Sequence, residues 1–146
     1  MIDAQIKLIE AELDVARVHL EEIEAACEAL KQTGMFDSLP HFQWQARNGE
    51  EEKRYLYLVY RQNGVNYAGP NGQRKVYVGC DPAKTAEARR MERNTTTWKG
   101  LRLRAFELRR WIECRELDLK FITKTVDRLA AEARKWPCTP IPAPND

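Results

Sequence analysis

The chain has 146 residues, of which 43% are hydrophobic and 32% are charged, and its formal net charge is +2. This length suits one ordinary domain. No apolar run reaches the roughly 18 residues of a membrane-spanning helix, and the N-terminal residues lack the features of a secretion signal. We therefore expect a cytoplasmic protein that does not enter a membrane.

A regular hydrophobic repeat occupies the first 32 residues of the chain. Its apolar residues are spaced alternately by four and three: Ile2, Ile6, Ile9, Leu13, Ala16, Leu20, Ile23, Cys27 and Leu30. Such spacing is typical of a helix that buries a narrow seam against another helix. We predict a helix from about residue 3 to residue 32, within a segment 1–33, ending where Gly34 can adopt a left-handed cap.

Residues 34–97 are predicted to form a small sheet followed by a helix. Alternation of side chains predicts strands at residues 54–61 and 74–78, with further short strands around 42–45 and 65–67. Glu50–Glu52 before the first of these strands is expected to be a solvated loop. Asp81 and Pro82 are suited to begin a helix that extends to about Asn94.

A second repeat with the same spacing occupies residues 98–136. Its members are Leu101, Ala105, Leu108, Ile112, Arg115, Leu119, Ile122, Val126, Leu129, Ala133 and Trp136. Thr95–Thr97 and Gly100 are poor helix formers, so they either break the helix or lie within one very long helix. Residues 137–146 contain four prolines and are predicted to be extended or disordered.

These elements predict an α+β, mostly helical fold. The segment from Ile2 to Leu30 is as long as the segment from Leu101 to Leu129, so the two would pair as an antiparallel two-helix coiled-coil stalk. Residues 34–97 would form a head, consisting of a β-hairpin or three-stranded sheet plus a helix.

Both helices carry more apolar residues than one seam requires. On the second repeat these residues are Leu103, Phe106, Trp111, Leu117 and Phe121. A helix that is apolar beyond one seam usually packs on further helices, which favours a homodimer with a four-helix bundle. The alternative is that the head folds onto the stalk and covers these side chains.

The small net charge conceals a segregation along the chain. Residues 1–32 contain three basic and eight acidic residues, whereas residues 33–110 contain fifteen and eight. Basic side chains neutralise phosphates, so the basic middle indicates nucleic-acid binding. The candidate contact residues are Arg54, Tyr57, Arg61, Arg74, Lys75, Arg89, Arg90 and Arg93.

Binding through these residues requires that Arg74, Lys75, Arg89, Arg90 and Arg93 lie on one face, and side chains pointing in several directions would contradict it. The alternative is an ordinary solvated surface, with tyrosines that only pack the sheet.

A longer pattern joins these residues. It reads Tyr-Leu-Tyr-Leu-Val-Tyr-Arg, then Arg-Lys-Val-Tyr-Val-Gly-Cys-Asp-Pro, then Ala-Glu-Ala-Arg-Arg. Over about residues 53–93 it resembles the sheet-plus-helix arm-type DNA-binding modules of tyrosine recombinases, and short phage- and plasmid-associated proteins. The resemblance implies DNA binding through the sheet and a mobile-element origin. The catalytic residues of the recombinases cannot be assigned in this chain.

No set of polar residues converges on a reaction or a cofactor, so we expect a protein that is not an enzyme. Cys27, Cys80, Cys114 and Cys138 form no closely spaced pair of metal ligands. The leading interpretation is a non-enzymatic DNA-binding protein of mobile-element type. The alternative is a coiled-coil protein-interaction module, such as a phage-type inhibitor or adaptor acting on a host protein complex. That alternative predicts an exposed apolar patch around Trp98, Phe106 and Trp111.

Overall fold

A computed structural model describes residues 2–61, 73–136 and 143–145. Over these residues the chain is α+β, with two helices and a three-stranded antiparallel sheet in the order β1-β2-β3. The predicted fold class is therefore confirmed. Within the described ranges, neither helix has a stretch apolar and long enough to cross a membrane.

Helix α1 extends from Ile2 to Thr33. It ends at Gly34, where φ is +109° and the amide donates to the carbonyl oxygen of Leu30 at 3.1 Å. A backbone in this region strongly favours glycine, so the end of the helix is encoded by a single residue.

Helix α2 is continuous from Pro82 to Lys135. At its start the carboxylate of Asp81 accepts a hydrogen bond from the amide of Ala83 at 3.1 Å, as an N-cap residue does. The three threonines lie inside this helix, so residue 97 does not mark a helix boundary. The buried hydroxyl of Thr95 donates to the carbonyl oxygen of Met91 at 2.7 Å, which satisfies it within the helix.

The sheet consists of β1 (His41–Arg47), β2 (Glu50–Arg61) and β3 (Gln73–Gly79). Strand β1 confirms the short strand expected near residues 42–45. The loop predicted at Glu50–Glu52 is wrong: β2 begins at Glu50 because Gly49, with φ +84°, allows a tight turn directly after β1. The strand expected at residues 65–67 lies outside the described residues, as does most of the proline-rich tail.

The chain divides into two compact units, and both helices contribute to each. The first unit contains Met1–Leu20 and Glu107–Asp146, and the second contains Glu21–Phe106. This division differs from the predicted boundaries at residues 33 and 97, because each long helix belongs to both units.

In the first unit, α1 packs against α2. Leu13 and Ile112, which both belong to the predicted seam, are buried. Beside them, the guanidinium of Arg17 donates to the carboxylate of Glu116 at 2.9 Å. Other residues of the repeats in this unit are exposed: Ile2 is 50% exposed, Leu129 53% and Trp136 77%. The predicted seam is therefore buried around Leu13 and Ile112 but not at the far ends of the repeats.

In the second unit, the sheet packs on the beginning of α2. Its core consists of Phe36, Leu56, Leu58 and Ala88, with Met91 partly buried against it. Ala88 and Met91 are on α2, so this helix covers the face of the sheet that carries Leu56 and Leu58.

The segment after α1 is also fixed to α2 in the second unit. The amide of Phe36 donates to the hydroxyl of Thr95 at 2.9 Å, and the side-chain amide of Asn94 donates to the carbonyl oxygen of Gly34 at 2.9 Å. These bonds hold the chain between α1 and β1 against the first third of α2.

Candidate nucleic-acid interface

The face of the sheet opposite α2 carries a different set of side chains. We call it the outer face and define it by its described residues: His41, Gln43, Gln45, Arg47, Tyr55, Tyr57, Val59, Lys75 and Tyr77. The strand register aligns His41, Val59 and Lys75 in one row, and Gln43, Tyr57 and Tyr77 in the next. Successive residues of a strand point to opposite faces, so Tyr57 is directed away from the core that contains Leu56 and Leu58.

Arg47 lies over two tyrosine rings of the outer face. Its guanidinium carbon is 4.4 Å from the ring centroid of Tyr55 and 4.8 Å from that of Tyr77. A hydrogen bond from Arg47 to the side chain of Tyr57 raises the pKa of the guanidinium, while partial desolvation acts in the opposite direction. The positive charge of Arg47 is therefore held in place by three aromatic side chains.

The tyrosines also contact one another. The ring centroids of Tyr57 and Tyr77 are 5.4 Å apart, and those of Tyr55 and Tyr77 are 6.2 Å apart. Tyr55 is buried beneath this cluster, whereas Tyr77 is 49% exposed and Tyr57 is half-buried. Tyr57 and Tyr77 thus present aromatic surface to solvent beside the charge of Arg47.

Arg47, Tyr55 and Tyr77 were not among the site residues suggested by the sequence. The short strand predicted around residues 42–45 ends before Arg47, so the sequence analysis does not place Arg47 in the sheet. The pair Asn48-Gly49 is a strong hairpin-turn signal, and it places Arg47 at the end of a strand beside β2. That signal could have identified Arg47 as a residue of the sheet.

The predicted contact residues on the strands are divided between the two faces. Tyr57 and Lys75 are on the outer face, where Lys75 is exposed. Arg74 is paired in register with Tyr60, and its guanidinium lies 5.3 Å from the Tyr60 ring centroid. Arg54 is exposed, and the side chain of Arg61 lies outside the described part of the chain.

The predicted contact residues on α2 are mostly engaged with neighbouring groups. Arg89 lies 4.4 Å from the ring centroid of Phe42 and donates to Glu92 at 3.1 Å. Arg90 donates to Glu87 at 2.9 Å, which raises the pKa of Arg90 and lowers that of Glu87. Arg93 is exposed.

The expectation that Arg74, Lys75, Arg89, Arg90 and Arg93 share one face is therefore wrong, and the DNA-binding surface predicted from these five residues is not formed. Arg74 and Lys75 are adjacent in β3 and point to opposite sides of the sheet. Arg89, Arg90 and Arg93 belong to the helix that covers the side opposite Lys75. Of the eight predicted contact residues, the structure brings Tyr57 and Lys75 together on the outer face.

The additional apolar residues of α2 are exposed. In the first unit, Leu117 is 65% exposed, Phe121 is 71% exposed, and Trp111 is exposed to a smaller extent. In the second unit, Leu103 and Phe106 are exposed. Trp111 is the most covered of the five, and the Arg115 guanidinium lies 5.9 Å from its ring centroid.

Trp98 is not part of an exposed apolar patch. It is half-buried, and Lys31 and Arg102 each lie 5.7 Å from its ring centroid. Its indole N–H has no hydrogen-bond acceptor among the described residues. The patch expected around Trp98, Phe106 and Trp111 therefore lacks its first member.

Within the described ranges, no group of three or more His, Cys, Asp or Glu side chains could hold a metal ion. A polar cavity of about 390 Å³ lies between the linker after α1 and the sheet, where Asp37, Ser38, Tyr60 and Arg74 line it. Burial raises the pKa of Tyr60, partly opposed by the charge of Arg74.

Comparison of the chain with protein-family models, curated proteins and solved structures gave no match.

Proposed function

We propose that the protein is a non-enzymatic nucleic-acid-binding protein that contacts its ligand through the outer face. The observation that carries this proposal is the Arg47 guanidinium held over Tyr55 and Tyr77, in a face that also exposes Lys75. Cationic side chains bind phosphates, and aromatic and amide side chains bind bases and sugars. The aligned rows of this face contain no acidic residue among the described side chains.

The chemistry of the outer face differs from that of the basic surface of α2. Arg89 and Arg90 each form an ion pair within the helix, so binding a phosphate would require exchange of an existing partner. On the outer face, the partners of Arg47 are neutral rings, which leave its net charge available to a ligand. We therefore assign direct contacts to Arg47, Tyr57, Lys75 and Tyr77, and a long-range electrostatic contribution to the arginines of α2.

A matched pair of charge reversals tests this assignment. Lys75→Glu and Arg93→Glu change the net charge equally, and both residues are exposed, but only Lys75 is on the outer face. We expect Lys75→Glu to weaken binding of a labelled oligonucleotide in fluorescence anisotropy. It should also reduce the slope of log affinity against log salt by about 1, as expected for one lost phosphate contact.

Arg93→Glu should weaken binding less and leave this slope nearly unchanged. Equal effects of the two variants, or a larger effect of Arg93→Glu, would contradict the assignment to the outer face. Absence of binding by the unmodified protein at low salt would reject the nucleic-acid function altogether.

We further propose that the two helices form an antiparallel coiled-coil stalk with the sheet and the beginning of α2 as its head. Two observations within the first unit support this arrangement. Arg17 of α1 bonds to Glu116 of α2, and Ile9, earlier in α1, lines a groove with Ile122, later in α2. Contacts that advance in opposite directions along the two helices are typical of an antiparallel pair.

A second copy of the chain is the proposed occupant of the exposed apolar side of α2. Leu117 and Phe121 are one helical turn apart and mostly exposed, as expected for residues that pack on another helix. The double variant Leu117→Gln/Phe121→Gln should convert a dimer to a monomer, measured by light scattering after gel filtration. The matched variant Glu132→Gln/Arg134→Gln, at exposed polar positions of the same helix, should remain dimeric.

The same exposed apolar residues favour the second candidate function, a protein-interaction module acting on another protein. That function predicts a monomer whose solution state the substitutions at Leu117 and Phe121 do not change. It also predicts that oligonucleotides do not bind at low salt. The mobile-element origin implied by the sequence resemblance is compatible with either function.

A further inference from the structure

We propose that the ligand of the outer face is single-stranded nucleic acid, bound by stacking of its bases on Tyr57 and Tyr77. This inference rests on the proposed nucleic-acid function and specifies its substrate class. It starts from the two accessible rings, which lie on adjacent strands with their centroids 5.4 Å apart. Tyr77 is 49% exposed and Tyr57 is half-buried, so part of each side chain is accessible to a ligand.

The accessible surface of a tyrosine ring can stack on a base only where the face of that base is uncovered. In a duplex, each base face is covered by the neighbouring base pairs, and a protein reaches base edges in the grooves. In a single strand, the base faces are available to aromatic side chains, and each base stacked contributes substantially to affinity. The chemistry of two accessible rings on one sheet face therefore favours a single strand.

Arg47 supports this choice because it supplies a charge beside the stacking surface. Its guanidinium is packed on Tyr55 and Tyr77, so binding requires little loss of side-chain freedom. Stacked bases on Tyr57 and Tyr77 would bring the connecting phosphate near this charge. Lys75, two residues from Tyr77 along β3 and on the same face, supplies a second cation for the nucleic-acid strand.

The amide side chains complete the set of contacts that a single strand needs. Gln43 is paired in register with Tyr57, and Gln45 with Tyr55, so both lie beside the rings on β1. Amides can both donate to and accept from the Watson–Crick edge of an unpaired base. In a duplex that edge is occupied by the complementary base.

The test compares a labelled mixed-sequence single strand with its own duplex, by anisotropy at one salt concentration and with the full chain. The single strand should bind at least about tenfold more tightly than the duplex. Tyr77→Leu, which removes the ring, should weaken single-strand binding roughly 5- to 150-fold, the range for loss of one stacked base. Tyr77→Phe keeps the ring and should bind the single strand as the unmodified protein does.

Duplex binding should be nearly the same for all three proteins, and circular dichroism should show the same fold. The inference is overturned if the duplex binds as tightly as the single strand, or if Tyr77→Leu binds the single strand normally. Those results leave the proposed function intact, whereas failure of both ligands to bind at low salt rejects both proposals. Parallel DNA and RNA versions of the single strand distinguish the two sources of this ligand.

Discussion

Replacement of Thr95 by valine is expected to destabilise the second unit, although it adds an apolar group to a buried site. Thr95 is 1% exposed, and its hydroxyl is the acceptor for the Phe36 amide at 2.9 Å. Valine has nearly the same shape but cannot accept this bond. The amide of Phe36 would then be buried without a partner, which costs about 1–3 kcal/mol.

Urea denaturation followed by circular dichroism measures this cost. With a denaturant slope of about 2 kcal/mol per molar, Thr95→Val should lower the midpoint by roughly 1 M. Thr96→Val is the matched control because Thr96 is the exposed neighbour of Thr95 in the same helix. It should change the free energy of unfolding by less than about 0.5 kcal/mol. Hydrogen exchange of the Phe36 amide should accelerate in Thr95→Val alone. Equal stability of the two variants would refute the reasoning.

Two further pairs of substitutions test the helices, each by urea denaturation. Leu13→Ala should destabilise the protein by about 2–5 kcal/mol because Leu13 is 1% exposed in the seam. Leu8→Ala, at a mostly exposed position of the same helix, should change stability by less than about 0.5 kcal/mol, and a similar loss in both would exclude the proposed seam. Gly34→Ala should destabilise the protein by about 1–2 kcal/mol because φ is +109° there, and the new Cβ would lie 3.2 Å from the Arg90 guanidinium. Gly100→Ala should instead stabilise it by about 0.5–1 kcal/mol, since Gly100 is helical with open space around it; changes of the same sign would contradict this account.

The long helices could be predicted because their spacing is directly related to burial. The spacing assigns Leu13, Ile23, Cys27, Ala105 and Ile112 to the seam, and all are buried. It assigns Ile2, Leu129 and Trp136 in the same way, and these three are at least half exposed. A sustained repeat of this kind averages over many residues, so no single weak position changes the result.

The threonines of α2 show where such reasoning stops. Thr95–Thr97 have low helix propensity, and the sequence left open whether they break the helix. The structure contains an unbroken helix. In it the Thr95 hydroxyl donates a hydrogen bond to the carbonyl oxygen of Met91 and accepts one from the amide of Phe36. The hydrogen bond between Phe36 and Thr95 joins residues 59 positions apart, so helix propensities of neighbouring residues cannot predict it. Its contribution to the free energy of folding is comparable to the helix-propensity penalty of a threonine.

The candidate site was predicted only in part, for a similar reason. The alternation of strand residues could have shown that Arg74 and Lys75 point to opposite faces. It could not show which of those faces α2 covers, because that depends on how the helix packs after the strand ends. Nor could it place Arg47 over Tyr77, since β1 and β3 are not neighbours in the sheet.

The most direct test of the central claim is to identify the residues that touch the nucleic acid. A single strand containing 5-bromouracil would be cross-linked to the full chain by ultraviolet light, and the modified peptides would be identified by mass spectrometry. We predict adducts at Tyr57 or Tyr77. An excess of the same strand without 5-bromouracil should suppress their formation. Adducts confined to α2, for example at peptides containing Arg89 to Arg93, would contradict the claim that the outer face binds nucleic acid.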